Sequence, residues 1–122
     1  MLNLNTIMIN SDKPKELSKF YSQVLQEDSA WQGGDFVGYK AGNSYLMIGP
    51  HSKVHGVSAS PERLIFNLET DDVKGEFDRI KGIEGATVVQ EPYSPGENSE
   101  MLLATFSDCD GNYFQLASPM KM

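Results

Sequence analysis

The sequence predicts an α+β fold, and three observations carry that reading. Short alternating segments read as strands, and two longer segments carry apolar residues at helical spacing. The same order, a strand, a helix and two or three strands, occurs twice along the 122 residues. Each unit alone is too small to bury a sheet face comfortably, so the two are expected to share a core as one domain. The boundary between them is expected near residue 58, giving modules of about 1–58 and 59–122.

The first segment, Leu2 to Asn10, alternates around Ile7-Met8-Ile9 and reads as a strand. Ser11 and Asp12 offer side-chain oxygens to cap a helix, and Pro14 suits a first turn because no amide hydrogen is needed there. Leu17, Phe20, Tyr21, Val24 and Leu25 then fall on one helical face, with Ser18 and Ser22 assigned elsewhere. After Gly33-Gly34, Asp35 to Lys40 and Ser44 to Ile48 form a hairpin about the turn at Ala41-Gly42-Asn43. Gly49 to Ser60 is a connection, with room for a short strand near Val54 to Val57.

The second half follows the same plan. Arg63 to Thr70 alternates as a strand, and Asp71 or Asp72 caps a helix whose apolar face is Val73, Phe77 and Ile80. Gly75 inside that helix costs up to about 1 kcal/mol relative to alanine, so periodicity alone supports it. Strands follow at Ala86 to Glu91, Glu100 to Ser107 and Tyr113 to Ser118, the last two joined by the tight turn Asp108 to Asn112. Gly96 to Glu100, after Pro92-Tyr93-Ser94-Pro95, reads as a solvated loop, with a lid as the alternative.

Composition excludes several classes of function. Hydrophobic residues make up 39% and charged residues 22%, enough for a packed core and against disorder. A formal charge of −7 argues against a nucleic-acid partner and against an anionic membrane surface. Cys109 is the only cysteine, so no intrachain disulfide can form. No signal peptide and no bilayer-spanning stretch is read, so the expected location is the cytoplasm.

Three segments resemble a known superfamily. The stretch Asn10-Ser-Asp-Lys-Pro-Lys-Glu-Leu-Ser-Lys-Phe-Tyr-Ser-Gln-Val-Leu25 is similar to the first-helix signature of the vicinal oxygen chelate superfamily, which holds glyoxalase I, bleomycin-resistance proteins and extradiol dioxygenases. Leu68-Glu-Thr-Asp-Asp-Val73 resembles its second-repeat entry, and Asp108-Cys-Asp-Gly-Asn-Tyr-Phe-Gln-Leu116 its final turn and strand. The resemblance implies two βαβββ modules whose mixed sheets curl around a cupped pocket. It also implies a homodimer and, in metal-using members, a divalent ion held by histidine or glutamate side chains.

By that resemblance the ligand positions fall on Thr6, Ile65 and Gln115, with a fourth near Met47. A hydroxyl, an alkyl chain, an amide and a thioether do not make a site for a divalent transition ion, so no metal and no cofactor is expected. His51 and His55 lie among Gly49, Pro50 and Gly56 and read as loop residues. Asp108 and Asp110 open like a calcium loop but lack the closing glutamate, and read as a turn with Gly111 at positive φ. Cys109 has no neighbouring histidine and reads as a turn residue.

The expected pocket gathers Thr6, Met8, Met47, Ile65, Asn67, Tyr113 and Gln115. Methionine and tyrosine supply apolar contact, and threonine, asparagine and glutamine supply orienting hydrogen bonds. That mixture suits a small, partly apolar organic ligand whose binding is itself the function. Glu69 shares strand parity with Ile65 and Asn67; in a half-buried pocket it can act as a general base, and at the rim it is only solvated. The alternative function is therefore a lyase, isomerase or dioxygenase with non-standard metal ligands or with Glu69 as base. A third reading is a structural or regulatory module whose cup is filled by its own side chains.

Overall fold

In the computed structural model, residues 1–96 and 100–119 are described. The chain divides into two compact units, Met1–Gly56 and Val57–Met122. Each holds one helix and one open four-stranded mixed sheet, as the α+β reading expects.

In the first unit, β1 (Thr6–Asn10) leads to α1 (Pro14–Leu25), then β2 (Trp31–Gly33), β3 (Phe36–Ala41) and β4 (Ser44–Gly49). The sheet order is β1-β4-β3-β2, with β1 parallel to β4 and the other pairs antiparallel. Leu17, Phe20, Tyr21 and Val24 of α1 are buried. They pack on Ile9, Tyr39, Leu46 and Ile48, the buried residues that alternation sends to the helix side of the sheet.

In the second unit, β5 (Ile65–Glu69) leads to α2 (Val73–Ile80), then β6 (Thr87–Tyr93), β7 (Leu103–Ser107) and β8 (Tyr113–Ala117). The order β5-β8-β7-β6 repeats the topology of the first sheet, including the parallel β5–β8 pair. Its core is aromatic. Phe106 and Phe114 stack at 5.7 Å, Phe66 joins Phe114 at 6.1 Å, and Phe77 of α2 meets Phe106 at 5.2 Å. Such pairs add about 0.5–1.5 kcal/mol each beyond their burial. Among the described residues no helix is long and apolar enough to cross a membrane.

Several sequence expectations are corrected. The first strand begins at Thr6 and not Leu2, because residues 1–5 are exposed and only Asn5 reaches the sheet, its carbonyl accepting from the Tyr45 amide. Ser11 does not cap a helical amide; its hydroxyl accepts from the Lys13 amide that precedes Pro14, and Asp12 accepts from Gly56. Ser18 is buried, where its hydroxyl meets the Tyr39 hydroxyl at 2.6 Å. Trp31–Gly33 is a strand that the pattern did not reveal, and residues 54–57 form no strand but run irregularly into a bend at 56 and 57. Pro92-Tyr93 belongs to β6, which tolerates a proline because it is the sheet edge and is irregular there. Of the loop expected at Gly96 to Glu100, residues 97–99 lie outside the described residues.

The second helix keeps its glycine for a steric reason. Asp72 caps α2 by accepting from the Gly75 amide at 3.0 Å. A Cβ at position 75 would collide with the capping carboxylate. The propensity lost at Gly75 is thus offset by the cap.

The Asp108 turn sets where β8 starts. Asp108 is buried, and its Oδ1 accepts from the amides of Asp110 at 2.9 Å and Asn112 at 3.0 Å. Gly111 follows at φ +82°, as the turn reading expects. Removing a buried charged acceptor strands these amides, at a cost of about 3 kcal/mol. Asp108→Ala is therefore expected to lower the urea midpoint sharply with an unchanged denaturant slope, whereas Asp72→Ala at the exposed α2 cap is expected to cost only about 1 kcal/mol. Equal losses in urea titrations of the two variants would contradict this assignment.

Candidate functional site

Strand alternation leaves each sheet with a face that its helix does not cover. In the first unit this face carries Thr6 and Met8 of β1, Tyr45 and Met47 of β4, Gly38 and Lys40 of β3, and Trp31 of β2. Met8, Met47, Gly38 and Trp31 are register partners in one row across all four strands. Thr6 and Tyr45 pair in the next. This row would be a plain apolar surface if position 38 had a side chain.

Glycine at that position makes a cavity. A volume of about 480 Å³ opens over Gly38, walled by Trp31, Met47, Tyr45, Thr6 and Ala30. Around a Cβ built at Gly38, the Met47 Cγ and Trp31 Cβ would each lie 3.7 Å away, in ordinary van der Waals contact, so the flanking groups border this position closely. Trp31 is held at the edge strand by its register with Gly38, which the Ala30 amide extends by donating to the Gly38 carbonyl at 2.8 Å. Trp31 is 52% exposed and Tyr45 43% exposed, so both rings present bare faces. A concave apolar wall with few polar groups is the usual form of a small-molecule site.

The second unit's uncovered face differs in chemistry. Asn67, Gln115, Thr105 and Gln90 occupy one row by register. The Gln115 Nε2 donates to the Thr105 hydroxyl at 3.0 Å. Ile65, Tyr113 and Ser107 form the adjacent row, and Glu69, Ala117 and Leu103 the row on the other side. Glu69 is exposed at the end of β5.

The expected pocket residues therefore fall into two groups. Thr6, Met8 and Met47 share the uncovered face of the first sheet, and Thr6 and Met47 line its cavity. Ile65, Asn67, Tyr113, Gln115 and Glu69 share that of the second. Trp31, Gly38, Tyr45 and Ala30 escaped the sequence reading. Tyr45 was within reach, since it lies two residues before Met47 on the same strand face.

The positions that the superfamily resemblance assigns to a metal carry a threonine hydroxyl, a methionine thioether, an isoleucine and an amide whose nitrogen is engaged with Thr105. These donors do not fit a divalent transition ion. Among the described residues no three of His, Cys, Asp and Glu gather as a metal-holding group. His51 is exposed, its Nδ1 accepting from the Lys53 amide at 3.1 Å, and His55 is exposed too.

A family model described as a glyoxalase-like domain matches residues 6–117, from the first residue of β1 to the last of β8. The chain belongs to this family. Solved structures agree on the fold of this glyoxalase-like domain. A glyoxalase-related enzyme from Fulvimarina pelagi aligns with a TM-score of 0.77 at 13% identity, over 98% of this chain and 89% of that one. A glyoxalase/bleomycin resistance protein/dioxygenase family enzyme from Burkholderia phytofirmans PsJN gives 0.76 at 19%, over 98% and 100%. The genomically encoded fosfomycin resistance protein FosX of Listeria monocytogenes gives 0.68 at 14%, over 98% and 93%. No curated protein matches by sequence.

The Trp31 indole leans over Gly33, whose Cβ, if present, would lie 2.5 Å from the ring. Gly33→Ala in this glyoxalase-like domain is therefore expected to rotate the indole away from its present seat. The near-ultraviolet circular dichroism of the lone tryptophan is expected to change while the far-ultraviolet spectrum does not. An unaltered near-ultraviolet signal would mean that the ring does not rest there.

Proposed function

We propose that this glyoxalase-like domain binds a small, flat, largely apolar organic molecule in the cavity over Gly38, without a metal, and that binding is its function. The observation that carries the reading is the cavity itself: a side chain is missing from the middle of an apolar row, between an indole and a thioether. An aromatic or polyene ligand slotted there stacks on Trp31 and packs against Met47, whose thioether adapts to irregular outlines. The hydroxyls of Thr6 and Tyr45 offer orienting hydrogen bonds at the rim. The donor set supports the metal-free form, since a neutral amide stands where a carboxylate would be needed. Resistance proteins among the structural neighbours are consistent with organic ligands of drug size.

Trp31 is the only tryptophan, so its fluorescence reports on this cavity alone. Titration with a panel of uncharged planar aromatics is expected to quench or shift the emission saturably for at least one member. Gly38→Leu, which fills the cavity, is expected to weaken that binding by tenfold or more, equivalent to about 1.4 kcal/mol. Saturable binding that Gly38→Leu leaves intact would remove the cavity from the proposal. If the bound molecule is also turned over, and Glu69→Gln abolishes turnover while binding persists, the enzymatic reading with Glu69 as base replaces the binding one.

A further inference from the structure

The other side of the first sheet holds a second concavity that the proposed function does not use. An α-helix is about 10 Å wide and neighbouring strands are about 4.8 Å apart, so one helix covers roughly two strands of a four-stranded sheet. The α1 helix packs on β4 and β3. The helix side of β2 and of the adjoining part of β3 is left open, forming a groove of about 520 Å³ along the flank of α1.

Its chemistry is specific. The floor includes Val37 and Ile48, and the Gln32 side of β2 closes the far wall. The helical wall presents Lys15 and Lys19, four residues apart and so one above the other on α1. Among the described residues, neither lysine takes part in an ion pair. Asp35 is the single carboxylate lining the groove, so the lining is net cationic in a chain of net charge −7. Between the lysines lies Ser18, whose buried hydroxyl meets the buried Tyr39 hydroxyl at 2.6 Å, and both residues line the groove. Two hydroxyls that share one hydrogen bond have one further hydrogen between them. That hydrogen and the two ammonium groups outnumber the one carboxylate in the lining, Asp35, so the groove offers a surplus of donors.

We infer that this groove is a second ligand site, for a small organic carboxylate with an apolar body. The carboxylate sits between Lys15 and Lys19 and accepts the spare hydrogen of the Ser18–Tyr39 pair, and the apolar body lies along Val37. Burial of the body supplies most of the attraction, and the lysines and hydroxyls select the anion over its neutral counterpart. The site lies on the opposite side of the sheet from the cavity over Gly38, so the two proposals stand or fall separately.

The test uses the whole ¹⁵N-labelled chain, titrated with 4-phenylbutyrate and with the uncharged 4-phenylbutan-1-ol. Saturable amide shifts are expected at Ser18, Lys19, Val37 and Tyr39 with the acid, and binding about tenfold weaker with the alcohol, a gap of about 1.4 kcal/mol. The double variant Lys15→Gln/Lys19→Gln alters two exposed residues and is expected to fold normally and to bring the acid down to the level of the alcohol. The double variant Ser18→Ala/Tyr39→Phe, which removes both hydroxyls and with them the spare hydrogen, is expected to weaken the acid alone. Any of four results overturns the inference: no saturable shift at these residues, equal affinity for acid and alcohol, shifts centred on Trp31 instead, or indifference to the lysine substitutions.

Discussion

One helix for one four-stranded sheet is the constraint from which the rest of each unit follows. A two-residue side-chain period divides every strand into a covered and an uncovered set. The covered set must be apolar because it makes the only core the unit has. Leu46 and Ile48 lie on β4 under α1, and Phe106, Phe114 and Leu116 lie on β7 and β8 under α2. The uncovered set carries no such obligation. The candidate cavity lies there. The same arithmetic leaves the flank of α1 open, since the sheet is wider than the helix.

The two sheets share a topology and diverge in surface. The central row of the first is Met8, Met47, Gly38 and Trp31; that of the second is Asn67, Gln115, Thr105 and Gln90. Charge divides in the same way. Residues 1–56 hold five acids and five bases, so the whole formal charge of −7 belongs to the remainder. An electrically neutral unit with an apolar row is suited to discriminating by shape, and an acidic unit with an amide row to discriminating by hydrogen bonds. The repeat thus conserves backbone order while the uncovered faces specialise.

How much of this was legible in the sequence depended on the length over which a pattern ran. Both helices were readable from their apolar faces, and strand parity put Thr6 with Met8 and Asn67 with Glu69 on the uncovered sides. Three residues are too few to show alternation, so Trp31–Gly33 was not read as a strand. Ser18 looked like a solvent residue because serine usually is one; only the fold brings Tyr39 across to satisfy its hydroxyl. Gly75 read as a weak point in α2 because the steric demand of the Asp72 cap depends on geometry that propensity does not contain. The cavity was the least legible feature. It is formed by a side chain that is absent, and a sequence pattern of apolar residues cannot distinguish Gly38 at a turn from Gly38 under a ring.

The proposed metal-free reading has a consequence for selectivity. A divalent ion holds a ligand through its oxygens and is largely indifferent to the remainder. Without one, affinity has to come from contact area, and contact area is sensitive to outline: a missing or extra methylene changes binding by about 1–3 kcal/mol. On that reading, the walls of the Gly38 cavity are the determinants of what is bound. Trp31 is set by a three-residue register with β3 and by the glycine beneath its ring, so it is the more rigid wall. Met47, with three rotatable bonds, is the adaptable one. A rigid aromatic face opposite a compliant thioether tolerates variation along one edge of a planar ligand and refuses thickness. On the proposed binding reading, that combination suits a class of flat molecules better than one compound, which is the behaviour that sequestration requires and that a metal-anchored reaction centre does not.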